Sequence, residues 1–381
     1  MVYIKDCHTY ERSVLLESVR EIFTGFGGIE KYVFPNKTVV IKPNLVTRKN
    51  PDDAATTHPN LVWAVAKLCS EQGAKVIIAD SPGGLFDKNS LKIVYKGCGM
   101  EEAADDPSVE LNYDTAVTTI DNQNALYLKK IKVVSAIAKA DVIINIAKLK
   151  THGMMAYTGA VKNMFGVVPG LDKTEYHFKM QNYDDFANGI IDICLSVNPT
   201  FNIIDGIIGM ERDGPTAGDP KEVGVLIAGE NPFECDLAAL GIIKADPLRI
   251  PVLKNAIKRG LCQSTYKELE IKGRNIEECQ VDGFIVHYVD DHTSIIFFRG
   301  PISKLLGRLL RPKPVFNHKL CRSCGECVRC CPAKAIKVDK GHGAEVELDK
   351  CIRCFCCQEL CRYKAVKIKK PLLNKLFMSK G

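Results

Sequence analysis

Between residues 38 and 228, short apolar runs alternate with stretches of helical periodicity. Thr38–Ile41, Val76–Ala79, Asp141–Ala147, Phe201–Ile204 and Val223–Ala228 are rich in β-branched and aliphatic residues and read as buried strands. Leu61–Glu71, Val133–Lys139 and Phe186–Leu195 read as helices. The alternation predicts an α/β fold, a mainly parallel sheet with helices on both faces. It fades over 252–300, where Ile285–Tyr288 and Ser294–Phe298 suit a small hairpin that closes the large domain. Ile302, Leu305, Leu306, Leu309 and Leu310 then share one helical face, opposite Lys304, Arg308 and Arg311. The expected organisation is a large domain over 1–300, a linker helix over 301–314, a small α+β domain over 315–370 and a tail over 371–381.

Polar residues follow each strand. Lys42-Pro43-Asn44 follows the first, Asp80-Ser81-Pro82-Gly83-Gly84 the second, and Lys148-Leu149-Lys150-Thr151-His152-Gly153 the third. Asp205-Gly206, then Met210–Thr216 with Asp213, follow the fourth, and Gly229-Glu230-Asn231-Pro232 the fifth. Each alone suits an ordinary turn. Together they point to a site at the carboxyl edge of the sheet, where open α/β sheets bind ligands.

Gly159–Gly170 is glycine-rich around Lys162 and Asn163, so its backbone N–H groups could cradle an anion. It matches neither GxxxxGK[ST] nor GxGxxG, so no nucleotide is expected. Crowded cations depress one another's pKa, which suits His152, Lys150 and Lys162 to acid–base work. Lys42, Asn44, Asp80, Lys148, Asn163, Asp205 and Asp213 are candidate substrate-binding residues. His177 is a weaker acid–base candidate.

The sharpest motif is C-terminal. Cys321, Cys324, Cys327 and Cys331, then Cys351, Cys354, Cys357 and Cys361, each read C-x2-C-x2-C-x3-C. This is the spacing of two-cluster bacterial ferredoxins, in which the fourth cysteine of each run serves the other cluster. The expected sets are Cys321, Cys324, Cys327 and Cys361 for one [4Fe–4S] cluster, and Cys351, Cys354, Cys357 and Cys331 for the second. Zinc would favour two CxxC pairs separated by a longer loop, and disulfides would go with export. Cys330 and Cys356 have no ligand role in this register, and Arg362 stands where the first run has Pro332.

Composition adds location and partners. The N-terminal residues Met1–Tyr10 carry no export signal, and the other cysteines are scattered singly, so a reducing cytoplasm is expected, in an oxygen-poor host. Residues 301–381 hold 19 Lys and Arg against 6 Asp and Glu, whereas residues 1–300 hold 33 against 39. The basic end suits an acidic redox partner protein. Nucleic acid is not expected, since aromatic and basic residues are not interleaved. The amphipathic helix is read as packing between domains rather than lying on a membrane.

Lys42-Pro43-Asn44, Asp80-Ser81-Pro82-Gly83, Lys148–His152, Thr158–Gly166, Asp205-Gly206 and Gly214-Pro215-Thr216 together resemble the iron–sulfur family known as domain of unknown function 362. The resemblance spans nearly the whole chain, with Gly159–Gly166 its most specific part. It implies the architecture and a cluster-dependent redox role, without a substrate. The expected function is an oxidoreductase that passes electrons through two clusters to an anionic small molecule. The alternative is a non-catalytic electron-transfer or maturation partner whose large domain binds another protein.

Overall fold

The computed structural model describes residues 1–288, 312–339 and 341–369. Among the described residues up to 288 there are eleven strands: β1 (Val2–Asp6), β2 (Thr38–Lys42), β3 (Lys75–Ile78), β4 (Val109–Leu111), β5 (Val117–Asp121), β6 (Lys130–Val134), β7 (Val142–His152), β8 (Ala156–Thr158), β9 (Phe201–Glu211), β10 (Asp219–Gly229) and β11 (Ile271–Gly273). All but the β5–β6 hairpin join one nine-stranded sheet in the order β11-β1-β10-β9-β7-β2-β3-β4, with β8 paired to β7. From β9 to β4 every pairing along this order is parallel, whereas β10 runs against both β9 and β1.

Strand alternation divides the apolar residues between two cores. Val39, Ile41, Ile144 and Ile146 pack with the helices Arg12–Gly25 and Pro59–Glu71 on one face. Val40, Ile143 and Ala147 pack with the helices Tyr183–Val197 and Pro232–Ile242 on the other. This is the α/β layering that the alternation predicts.

Several expectations change. Val133–Lys139 is the end of β6 followed by one helical turn, Ser135–Ala138. Lys148–His152 is not a loop but the second half of β7, all of it buried. Its polar residues stay in the strand because neighbours satisfy them: Lys148 pairs with Asp205 and Lys150 donates to Asn44. Because β10 is antiparallel, Gly229–Pro232 lies at the opposite edge of the sheet from the loops after β2, β3, β7 and β9. Ile285–Tyr288 forms no strand. Ser294–Phe298, the helical face at 302–310 and the tail at 371–381 lie outside the described residues.

The small module begins at Lys313, inside the expected linker. β12 (Lys313–Phe316) pairs with β15 (Val366–Lys369), and β13 (Ile336–Asp339) pairs with β14 (Gly343–Val346).

Gly159 fixes how the segment after β8 sits. The carboxylate of Asp236 accepts from Ala160 N at 2.6 Å, Val161 N at 3.1 Å and Tyr157 Oη at 3.2 Å. A Cβ on Gly159 would collide with that carboxylate. The amides expected to cradle a ligand therefore hold a side chain of the protein itself. Asp236→Ala strands these buried donors and should destabilise the chain by about 1–3 kcal/mol, read as a lowered Tm with unchanged iron content. An unchanged Tm would show that the three bonds contribute nothing.

Candidate functional site

Four parallel strands, β2, β3, β7 and β9, deliver their carboxyl ends to one place. The site lies there, in a cavity of about 60 Å³. Lys42, Asn44, Asp80, Lys150, His152, Lys162 and Asn163 all line it. Four expected residues, Lys148, Asp205, Asp213 and His177, stand elsewhere. Lys148 donates to Asp205 at 2.9 Å and to Tyr10 Oη at 2.8 Å, forming a closed buried pair away from the cavity. Asp213 is half-exposed beside His287, and its carbonyl accepts from Gln358. His177 stacks on Phe186, with ring centroids 4.2 Å apart.

The cavity wall is built on amides. Asn163 Oδ1 accepts from Lys42 Nζ at 3.1 Å and from Asn44 Nδ2 at 2.8 Å, while its Nδ2 donates to Asn145 Oδ1 at 2.8 Å. Asn145 donates onward to Asn202 at 2.8 Å, so the amide chain crosses from β2 to β9. Lys42 also pairs with Asp80 at 2.7 Å. A Cβ on Gly166 would stand 2.6 Å from Lys42 Nζ and 2.7 Å from Asp80 Oδ1, so this glycine admits the ion pair.

Charge in the wall is shaped by burial. Burial holds Lys150 down to about 7, with neighbouring Lys162 and Lys148 adding to the effect against Glu359. Its ammonium meets Asn44 Oδ1 at 2.6 Å and Ala55 O at 2.5 Å, with no carboxylate of the described residues in contact. Lys173 is likewise held down to about 7 by burial and donates to Ser81 O at 2.6 Å. Lys162 is lowered by burial, and its Nζ lies 5.9 Å from the Phe165 ring centroid.

His152 departs from its expected acid–base role. Burial and nearby Lys162 keep its ring well below the usual histidine range, hence neutral near pH 7. Nδ1 accepts from Met154 N at 3.0 Å and Met155 N at 3.2 Å, so the ring proton sits on Nε2. Nε2 is buried, has no hydrogen-bond partner among the described residues and lies 3.7 Å from Glu359 Oε2. His152 is therefore a neutral hydrogen-bond donor.

Sequence reasoning missed Lys173 and Glu359, which also line the cavity. Lys173 lies in no strand-end loop. Glu359 sits inside the second cysteine run, where ligand spacing draws attention only to the cysteines. The small module closes the cavity here. Thr216 Oγ1 donates to Glu359 O at 2.8 Å, Gln358 Nε2 donates to Asp213 O at 2.8 Å, and Leu360 packs where a Cβ on Gly83 would be.

The module repeats itself after 30 residues. Ser323 and Gly325 turn the first cysteine loop with positive φ, as Arg353 and Phe355 turn the second. Ala335 N donates to Cys331 Sγ at 3.2 Å, and Ala365 N to Cys361 Sγ at 3.3 Å. Cys321, Cys324, Cys327 and Cys361 line one small apolar cavity. Burial pushes the Cys351 thiol up, and Cys354 and Cys331 lie near enough to add to that shift. The four cysteines of the first expected set thus share one cavity, and backbone N–H groups point at the sulfurs of Cys331 and Cys361. Cys330 and Cys356 pack with Leu360 and Cys354 in a separate buried cluster.

An α/β domain joined at its ligand edge to a ferredoxin-like cysteine module defines an iron–sulfur protein. Residues 39–241 match the family model "Domain of unknown function (DUF362)", and residues 313–362 match "4Fe-4S dicluster domain". The chain belongs to the DUF362 family. It is 34% identical over 282 residues to a thylakoid-associated protein of Synechocystis sp., covering 72% of this chain and 84% of that one. Its C-terminal part is 35% identical over 52 residues to a ferredoxin of Pyrobaculum islandicum, covering 14% of this chain and 49% of that one. Among solved structures it is similar to the lactate racemase apoprotein of Thermoanaerobacterium thermosaccharolyticum, at TM-score 0.38 and 12% identity over 60% of this chain and 53% of that one. A Thermotoga maritima protein gives TM-score 0.34 and 12% identity over 54% of this chain and 52% of that one. The chain spans about half the length of each of these solved structures. No helix among the described residues is long and apolar enough to cross a membrane.

The lysine pKa has a measurable consequence. Between about pH 7 and the ordinary lysine value of 10.5, the unfolded chain holds a proton on Lys150 that the folded chain lacks. Stability therefore rises with pH through that window. In Lys150→Met, Tm plotted against pH should be flatter there than in the wild type. An equal slope would show that Lys150 stays charged in the fold.

Proposed function

We propose that this protein is an iron–sulfur oxidoreductase that passes electrons to a small anionic substrate held in the strand-edge cavity. The observation that carries this reading is the position of Glu359. It lines the cavity, and it lies two residues from Cys357 and two from Cys361, one cysteine from each expected ligand set. The substrate site and the electron source thus share a wall.

Two clusters fit the crossed cysteine sets, Cys321, Cys324, Cys327 and Cys361 with Cys351, Cys354, Cys357 and Cys331. When bound, they supply single electrons at low potential. Lys162 and the Nε2–H of His152 bind the anion, one by charge and the other by hydrogen bond. Lys150, protonated below about pH 7, delivers the proton that accompanies reduction. Lys42, Asn44, Asp80 and Asn163 keep the wall rigid rather than touching substrate, because each already has a close partner within the protein. The electrons come from an acidic redox protein that docks on the basic C-terminal module. Buried, unpaired cysteines such as Cys7, Cys69 and Cys194 support a reducing, cytoplasmic setting.

Anaerobic purification should return about eight irons and eight sulfides per chain. About half that number would leave one cysteine set without a cluster. Small carboxylates and other metabolic anions, screened against the reduced protein, should include one that reoxidises it. Lys162→Met should slow that reoxidation at least a hundredfold while leaving the cluster absorption spectrum unchanged. If no metabolite reoxidises the protein but an acidic carrier protein does, the chain is an electron-transfer partner and not an enzyme.

A further inference from the structure

The cavity's donors are unequally committed. Lys42 is paired with Asp80, and Lys150 and Lys173 each donate to oxygens of the wall. Two donors remain open. Lys162 has no hydrogen-bond acceptor among the described residues, and its Nζ lies 5.9 Å from the Phe165 ring centroid. The Nε2–H of His152, on a side chain 3% exposed, has none either. A buried N–H without an acceptor is costly, so a site containing one is poised to receive an oxygen.

One anion already stands near both. The carboxylate of Glu359 is 3.7 Å from His152 Nε2, beyond hydrogen-bond distance, and after burial it is the strongest charge acting on Lys162 and on Lys150. Its backbone is fixed and its side chain is not. Thr216 holds the Glu359 carbonyl and Asp213 holds the neighbouring Gln358, whereas the carboxylate itself makes no hydrogen bond among the described residues and stands 3.7 Å from His152 Nε2. The carboxylate can therefore swing aside while the module stays docked.

We propose that Glu359 is the cavity's resident anion: its carboxylate shares one binding position with the carboxylate of a small substrate, which must displace it to reach His152 and Lys162. The cavity volume of about 60 Å³ suits a carboxylate bearing few carbons. This inference rests on the reading of the cavity as an anion site. It adds a specificity device, because neutral molecules and weak oxygen acceptors cannot displace an anion from two cationic or N–H donors.

The test is calorimetric titration of acetate into the holoprotein under anaerobic conditions, with iron content checked for each variant. Glu359→Gln removes the competing charge. Glu359→Asp keeps the charge and shortens its reach, so that it no longer approaches His152. Displacement predicts acetate binding at least tenfold tighter in Glu359→Gln and several-fold tighter in Glu359→Asp, and weaker binding in Lys162→Met. Tighter binding in Glu359→Gln alone reflects general charge repulsion and overturns the shared position. Equal or weaker binding in both Glu359 variants overturns it as well, while a loss in Lys162→Met preserves the anion site. Absence of acetate binding in the wild type and all three variants overturns the anion site, and this inference with it.

Discussion

Removing an ammonium group from water costs several kcal/mol unless other polar groups replace its hydration. This protein buries three lysines within one patch of sheet, Lys42, Lys148 and Lys150, each no more than 2% exposed. Two are neutralised by carboxylates, Asp80 and Asp205. Lys150 is not, and it depends on Asn44 and a carbonyl. Asn44 is held in turn by Asn163, and Asn163 by Asn145. The amide chain thus sets the spacing of the strand ends, and the strand ends set the shape of the cavity.

That dependence explains why small residues surround the charges. Gly166 leaves room for the Lys42–Asp80 pair, and Gly159 leaves room for Asp236 beneath the segment that carries Lys162 and Asn163. Gly83 and Gly153 give way to Leu360 and Ile368 of the cysteine module. Backbone is brought close where a side chain from elsewhere must enter. The cavity is accordingly a joint product of both parts of the chain: the α/β domain supplies cations, N–H donors and the Asp80 carboxylate, and the module supplies the carboxylate of Glu359.

The sheet was legible because its central strands are almost uniformly apolar, and the cysteine sets because cluster ligation demands fixed spacing. The cavity was partly legible: Lys42, Asn44, Asp80, Lys150 and His152 follow from the rule that ligands bind at strand ends, and Lys162 and Asn163 from the glycine-rich segment that carries them. Lys148 and Asp205 satisfied the same rule and proved to be each other's partners, since sequence shows which residues occupy an edge and not which side chains find one another. The direction of β10 was hidden for a similar reason, because an apolar run reads the same in parallel and antiparallel pairing. Glu359 had no signal, as its place in the cavity depends on how two parts distant in sequence meet. The burial that keeps His152 neutral is likewise something a one-dimensional pattern does not report.

The internal repeat of the cysteine module has one more implication. A shift of 30 residues superimposes Cys327 on Cys357 and Cys331 on Cys361, and it places Arg329 at the position of Glu359 and Val328 at that of Gln358. One copy turns its carboxylate inward toward His152 and its amide inward to the Asp213 carbonyl. The other turns a guanidinium and an apolar side chain outward, with Arg329 and Val328 both exposed. The scaffold and its thiols are held in common, and the division of labour is confined to the side chains between them. The module thus carries its own reference: each departure of one half from its twin marks a position where being inside the molecule, rather than holding iron and sulfur, dictated the residue.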